Sequence, residues 1–187
     1  CDFVKNEQRK KLIVIDGNSL IHRAFYALPL LSTKDGIYTN GVYGFLTMLY
    51  RIKDEYPTDY ICVAFDKKGP TFRHKTFDLY KANRQSTPNE LSQQFPILKE
   101  ILAAMKIAQL ELDEYEADDI AGTLSKAGED KGMKVILVTG DKDYLQLASD
   151  NTKVLITRKG ITELEEFDKE KIIEKYGITP EQFIDLK

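Results

Sequence analysis

The feature that most constrains this chain is an apolar, β-branched run closed by an acid. It occurs as KLIVID over Lys11–Asp16 and as YICVAFD over Tyr60–Asp66. It occurs again as KVILVT over Lys134–Thr139, with Asp141 two residues beyond. Continuous runs of this kind are what strands covered on both faces require. Lys153–Thr157 and the weaker run Ala108–Leu112 complete a set of five predicted strands. Helical spacing of apolar residues falls between them, over Gly44–Tyr56, Glu90–Met105 and Asp118–Gly132, the last with Gly132 as its stop. Strands alternating with helices predict an α/β domain with a mostly parallel central sheet and helices on both faces.

In such sheets ligands bind beyond the carboxyl ends of the strands. Asp16 and Asp66 end the first two strands, and Asp141 and Asp143 follow KVILVT. Glu116, Asp118 and Asp119 follow the Ala108–Leu112 run and open a helix. One acid after a strand can simply cap the next helix. Seven at one edge repel each other, raise each other's pKa values and need a cation to offset them. His22 and His74 are the only histidines, and Cys62 lies inside a strand run, which leaves little for a zinc site of nitrogen and sulfur. Oxygen donors suit Mg²⁺ or Mn²⁺. Seven carboxylates exceed the needs of one such ion, so two ions acting on either side of a phosphodiester is the expected arrangement. That chemistry needs no Ser, Cys or His nucleophile.

The net charge is −3 over 187 residues, but it is unevenly spread. From Lys67 to Arg84, six basic residues, including Arg73, Lys75, Lys81 and Arg84, stand against Asp78 alone, a local charge of +5. A basic patch on an acidic chain steers anions to one place. Phe72, Phe77 and Tyr80, interleaved with it, can stack on bases or pack as an ordinary amphipathic helix. Beside a metal edge the segment points to single-stranded nucleic acid. The longest apolar stretch is the six residues Tyr60–Phe65, far from the roughly 20 of a membrane span. Two cysteines make no disulfide framework, which fits a reducing compartment. Residues 1–10 are polar and aperiodic and are expected to be a disordered tag or upstream remnant. The domain is expected over 11–187, with its end a cut rather than a natural terminus.

Five stretches together carry a family resemblance: LIVIDGNSLIHRAFYAL (Leu12–Leu28), TNGVYGF (Thr39–Phe45), VAFDKKGPTFRHKTFDLYKANR (Val63–Arg84), YEADD (Tyr115–Asp119) and VTGDKDYLQL (Val138–Leu147). In this order and spacing the chain resembles the 5′-nuclease domain at the N-terminus of bacterial DNA polymerase I, in the flap endonuclease superfamily. The resemblance implies a PIN-like fold and places the metal carboxylates at Asp16, Asp66, Glu116, Asp118, Asp119, Asp141 and Asp143. It sets Tyr80, Lys81 and Arg84 in an arch beside the metals, with Lys81 near the scissile phosphate. It sets Gly41 and Gly44 near the duplex junction. The implied activity is 5′→3′ exonuclease and flap cleavage of DNA and of RNA primers in replication and repair, by a cytoplasmic, nucleoid-associated bacterial monomer with a polymerase domain on its natural chain. The family's next segment, with a Gly-Asp-x-x-Asp stretch and a helix–hairpin–helix region, is not in this sequence.

Two other readings fit parts of the pattern. A toprim-type domain also has Asp-x-Asp after a strand, but it leaves Asp66 and YEADD unused. A structure-specific DNA-binding module could hold a structural ion with the same acids.

Overall fold

The computed structural model describes residues 9–67 and 86–186. Strands β1 (Lys11–Asp16), β2 (Tyr60–Ala64), β3 (Ala108–Leu110), β4 (Lys134–Thr139), β5 (Thr152–Thr157) and β6 (Leu164–Phe167) form one sheet, in the order β3-β2-β1-β4-β5-β6. All pairings are parallel except the β5–β6 ladder. Strands β1 and β4 start at the same level, with Lys11 beside Lys134 and Ile15 beside Val138. From β1 the order runs one way to β2 and β3, and from β4 the other way to β5. The carboxyl ends of β1 and β4 are therefore the topological switch point, where such sheets bind ligands.

Alternation along β1 divides the core. Ile13 and Ile15 join Ile136, Val138, Val63 and Leu155 on one face. There they are covered by α1 (Gly17–Ala27), α2 (Asn40–Glu55) and, after the short helix α3 (Asn89–Ser92), by α4 (Gln94–Ala104). Val14 joins Val135, Leu137, Val154 and Ile156 on the other face. That face is covered by α5 (Ala117–Asp130), a 3₁₀ turn over Lys142–Leu147, and α6 (Lys169–Tyr176). The continuous apolar runs exist because neither face of the central strands meets water. Cys62 is part of this interior, and burial raises its thiol pKa, so it is a packing residue.

Four elements depart from the sequence expectation. The helix expected over Glu90–Met105 is interrupted at Gln93, between α3 and α4. Gln94 turns inward there. Its amide donates to Asn40 Oδ1 and to the Glu90 carbonyl, and its oxygen accepts from the Val42 amide. Helix α1 has no predicted counterpart, because its apolar residues follow directly on the β1 run. Strand β6 and helix α6 were also not expected; LEEF is too short and too charged to stand out. The expected stop at Gly132 is present, with φ +75°, a conformation glycine adopts without strain.

Helices α1 and α2 touch closely because Gly44 has no side chain. A Cβ there would lie 2.7 Å from Ala24 Cβ and 3.3 Å from its Cα, and neither can swing aside. At Gly122, in α5, a Cβ would meet only the Leu147 side chain, at 3.5 Å. Gly44→Ala should therefore lose on the order of 1 kcal/mol or more through overpacking. Gly122→Ala should gain about 0.5–1 kcal/mol from helix propensity. Urea denaturation of both variants checks the pair; a neutral or stabilising Gly44→Ala would contradict the close α1–α2 contact.

Candidate metal centre

Asp16 is the innermost acid of the edge. It ends β1, is 7% exposed, and caps α1 by accepting from the Ser19 amide at 3.1 Å. Its second oxygen accepts from the Thr139 hydroxyl at 2.9 Å, at the adjacent end of β4. Thr139 Oγ1 in turn accepts from the Asp141 amide at 3.0 Å. Asp141 caps the 3₁₀ turn by accepting from the Asp143 amide. One side chain thus ties both strands of the switch point together. Gly17 follows Asp16 with no room to spare, since a Cβ there would sit 2.5 Å from the Phe65 ring.

Asp66 follows β2. Its backbone amide donates to Asn18 Oδ1 at 2.9 Å, and its carboxylate accepts from the Ala117 amide at 2.7 Å, at the start of α5. The positive end of that helix offsets part of the local negative charge. Glu116, 6% exposed, precedes α5. Its backbone amide donates to Asp119 Oδ2 at 3.1 Å, which closes the first turn.

Asp16, Asp66, Glu116, Asp118 and Asp141 all line one cavity of about 460 Å³, with Asn18, Ser19, His22, Tyr26, Ser86, Thr87 and Tyr144. Asp119 and Asp143 stand at the same edge but outside that lining. Gly41 and Gly44 are buried in α2, packed on Gln94 and Ala24. Arg73, Lys75, Tyr80, Lys81 and Arg84 lie outside the described residues. Asn18, Ser19, Thr139 and Tyr144 had no place in the expected site. Asn18 and Ser19 follow Asp16 directly, and Thr139 precedes Gly-Asp, but their types are as common in caps and turns as in sites.

Among the described residues no lysine or arginine lines the cavity. Burial pushes Asp16 up to about 6; the Ser19 and Thr139 bonds oppose this and the Asp66 charge adds to it. Burial, then the charges of Asp16 and Asp118, the hydrogen-bond contact with Asp16 and the charge of Asp66, push the Tyr144 phenol far above its usual range. Oxygen donors converging on one cavity fit a hard divalent cation. Among the described residues no three acids stand together as a closed ligand set.

The Asp16 shift has a direction that can be measured without metal. The folded protein holds this proton more tightly than the unfolded chain, whose carboxyl titrates near 3.8. Its stabilising contribution is fully present below about pH 4 and is lost as pH rises to about 6. In chelator, Asp16→Asn should then exceed the parent in stability above pH 6, by up to about 3 kcal/mol at ~1.4 kcal/mol per pKa unit. The difference should close towards pH 4. Thermal unfolding from pH 4 to 8 checks this, and a difference independent of pH would contradict it.

The profile of the family described as 5′-3′ exonuclease, N-terminal resolvase-like domain, matches residues 11–177. DNA polymerase I of Bacillus subtilis (strain 168) is 55% identical over 181 residues, covering 96% of this chain and 20% of that protein. DNA polymerase I of Geobacillus stearothermophilus is 54% identical over 170 residues, covering 91% and 19%. The chain thus spans about a fifth of the length of these relatives. Among solved structures, T5 5′-exonuclease with bound divalent zinc ions matches with a TM-score of 0.72 and 24% identity, over 95% of this chain and 65% of that one. The bacteriophage T5 D15 flap endonuclease with DNA and metal ions matches with a TM-score of 0.70 and 22% identity, over the same shares. These two likenesses establish the fold. The profile and the bacterial relatives establish the family: this chain belongs to the 5′-3′ exonuclease family, as its N-terminal resolvase-like domain.

Proposed function

We propose that this chain is the hydrolytic unit of a DNA-processing protein. It cuts phosphodiester bonds at 5′ ends and 5′ flaps of DNA, and in RNA primers paired to DNA, using Mg²⁺ or Mn²⁺. The observation that carries this reading is the convergence of five carboxylates on the switch point of a 5′-3′ exonuclease domain. A polymerase on the same natural chain fits the names of the bacterial relatives. Among the described residues no helix is long and apolar enough to cross a membrane.

In this reading Asp66, Glu116 and Asp118 hold one ion, with Asp16 behind them, while Asp141 and Asp143 serve a second and Asp119 supports the turn between. Bound ions would supply a more acidic attacking water and would neutralise charge on the leaving oxygen. The chain's own groups fix the cavity. Ser19 and Thr139 hold the Asp16 carboxylate, and the α5 amide of Ala117 holds Asp66. Such pre-set donors spare the site from reorganising as charge develops. Lys81, with Arg73, Lys75, Tyr80 and Arg84, is assigned to the phosphates and bases of the 5′ strand. The first turn of α2, built on Gly41 and Gly44, is assigned to the duplex side.

A labelled 5′-flap duplex separates this reading from a binding module. Mg²⁺ or Mn²⁺ should give cleavage, and chelator should stop it. Asp118→Asn and Asp141→Asn should each cut the single-turnover rate by more than the roughly 10–100-fold typical of residues that only support a ligand. Their melting temperatures in chelator should not fall. A metal-independent gel shift without cleavage would establish the binding module instead.

A further inference from the structure

Tyr144 occupies a position that packing alone does not explain. It is 2% exposed, on the 3₁₀ turn that follows β4. Its ring belongs to the apolar cluster with Val14, Ala121, Leu137 and Phe167. Its hydroxyl end opens onto the carboxylate cavity. That hydroxyl is buried without a well-formed hydrogen bond among the described residues, yet it stands close enough to the Asp16 carboxylate for each to shift the other's pKa as donor and acceptor, and the charges of Asp118 and Asp66 also reach it. A phenylalanine would fill the same apolar space without burying an unsatisfied oxygen. Buried polar groups are nearly always paired, so an exception calls for an explanation.

A phenol among carboxylates can act only as a donor to them. Asp16 already accepts from the Ser19 amide on one oxygen and from the Thr139 hydroxyl on the other. Each carboxylate oxygen has a second lone pair, so Asp16 can take one more donor. We propose that Tyr144 is a positioning residue of the metal centre, whose hydroxyl donates to Asp16 once divalent cations hold the carboxylate cluster ionised. In the loaded protein it fixes the Asp16 carboxylate from the α5 side of the sheet, as Ser19 fixes it from α1 and Thr139 from the end of β4. Donors that hold a ligand in this way raise metal affinity without touching the ion.

This rests on the metal reading above, and the experiment keeps the two apart. Mn²⁺ is titrated calorimetrically into the parent, Tyr144→Phe and Tyr176→Phe, and each protein is also melted in chelator. Tyr176 is the control: its ring packs on Phe167 and Phe183 in the same apolar cluster, away from the cavity lining. The parent and Tyr176→Phe should bind Mn²⁺ alike. Tyr144→Phe should bind at least about tenfold more weakly, while melting no lower than the parent in chelator. Binding by Tyr144→Phe within about twofold of the parent overturns this proposal alone and makes Tyr144 a core residue. A parent that binds no Mn²⁺ overturns the metal reading and this proposal together.

Discussion

Negative charge held inside a protein has to be stabilised by something, and this fold is arranged around that requirement. Asp16 sits nearly buried at the end of the central strand, with Asp66 close enough to raise its pKa. The groups that tolerate it come from every neighbouring element. The Ser19 amide comes from α1 and the Thr139 hydroxyl from β4, while the α5 terminus stabilises Asp66. None of these is a full positive charge. Amides and hydroxyls orient a carboxylate, but they do not by themselves cancel its repulsion with its neighbours. Some of the fold's stability is thereby given up to keep an anionic cavity open, as sites built for function commonly require.

The rest of the architecture can be traced from that point. Placing an acid at the end of β1 and another just past β4 requires the two strands to be neighbours and parallel, which the ladder provides. Parallel neighbours need crossover helices, and helices on both faces need strands that are apolar throughout. Close crossovers require small residues at the contacts, which accounts for Gly44 against Ala24 and Gly17 over Phe65. The buried Asn40–Gln94 pair then fastens α2 to α4, which is joined through α3 to Ser86–Pro88 at the rim of the cavity.

Much of this was legible in the sequence because periodicity and burial are coupled. The runs Lys11–Asp16 and Lys134–Thr139 matched β1 and β4 to the residue, while the longest run closed as β2 at Ala64, short of its expected end at Asp66, and the acids following strands pointed to one sheet edge. Helix α1 stayed hidden because its apolar pattern merges with the strand before it. Strand β6 stayed hidden because an edge strand with one open face can be charged. At the site, residue type was informative only for acids. A glutamate or aspartate in a first turn is ambiguous alone, and Asp119 shows why, since its carboxylate accepts from the Glu116 amide as a cap does. Tyr144 could not be singled out, because an aromatic residue between Asp143 and Leu145 looks like core and for the most part is core. Only the three-dimensional arrangement shows that its hydroxyl end meets the cavity.

The central claim is that the carboxylates at the switch point are arranged for divalent cations. Anomalous scattering from crystals soaked in Mn²⁺ tests it most directly. The account predicts strong manganese peaks inside the cavity, contacted by Asp16, Asp66, Glu116, Asp118 or Asp141 and lost in crystals of Asp118→Asn. A cavity without manganese at saturating concentration, its carboxylates still in place, would contradict it.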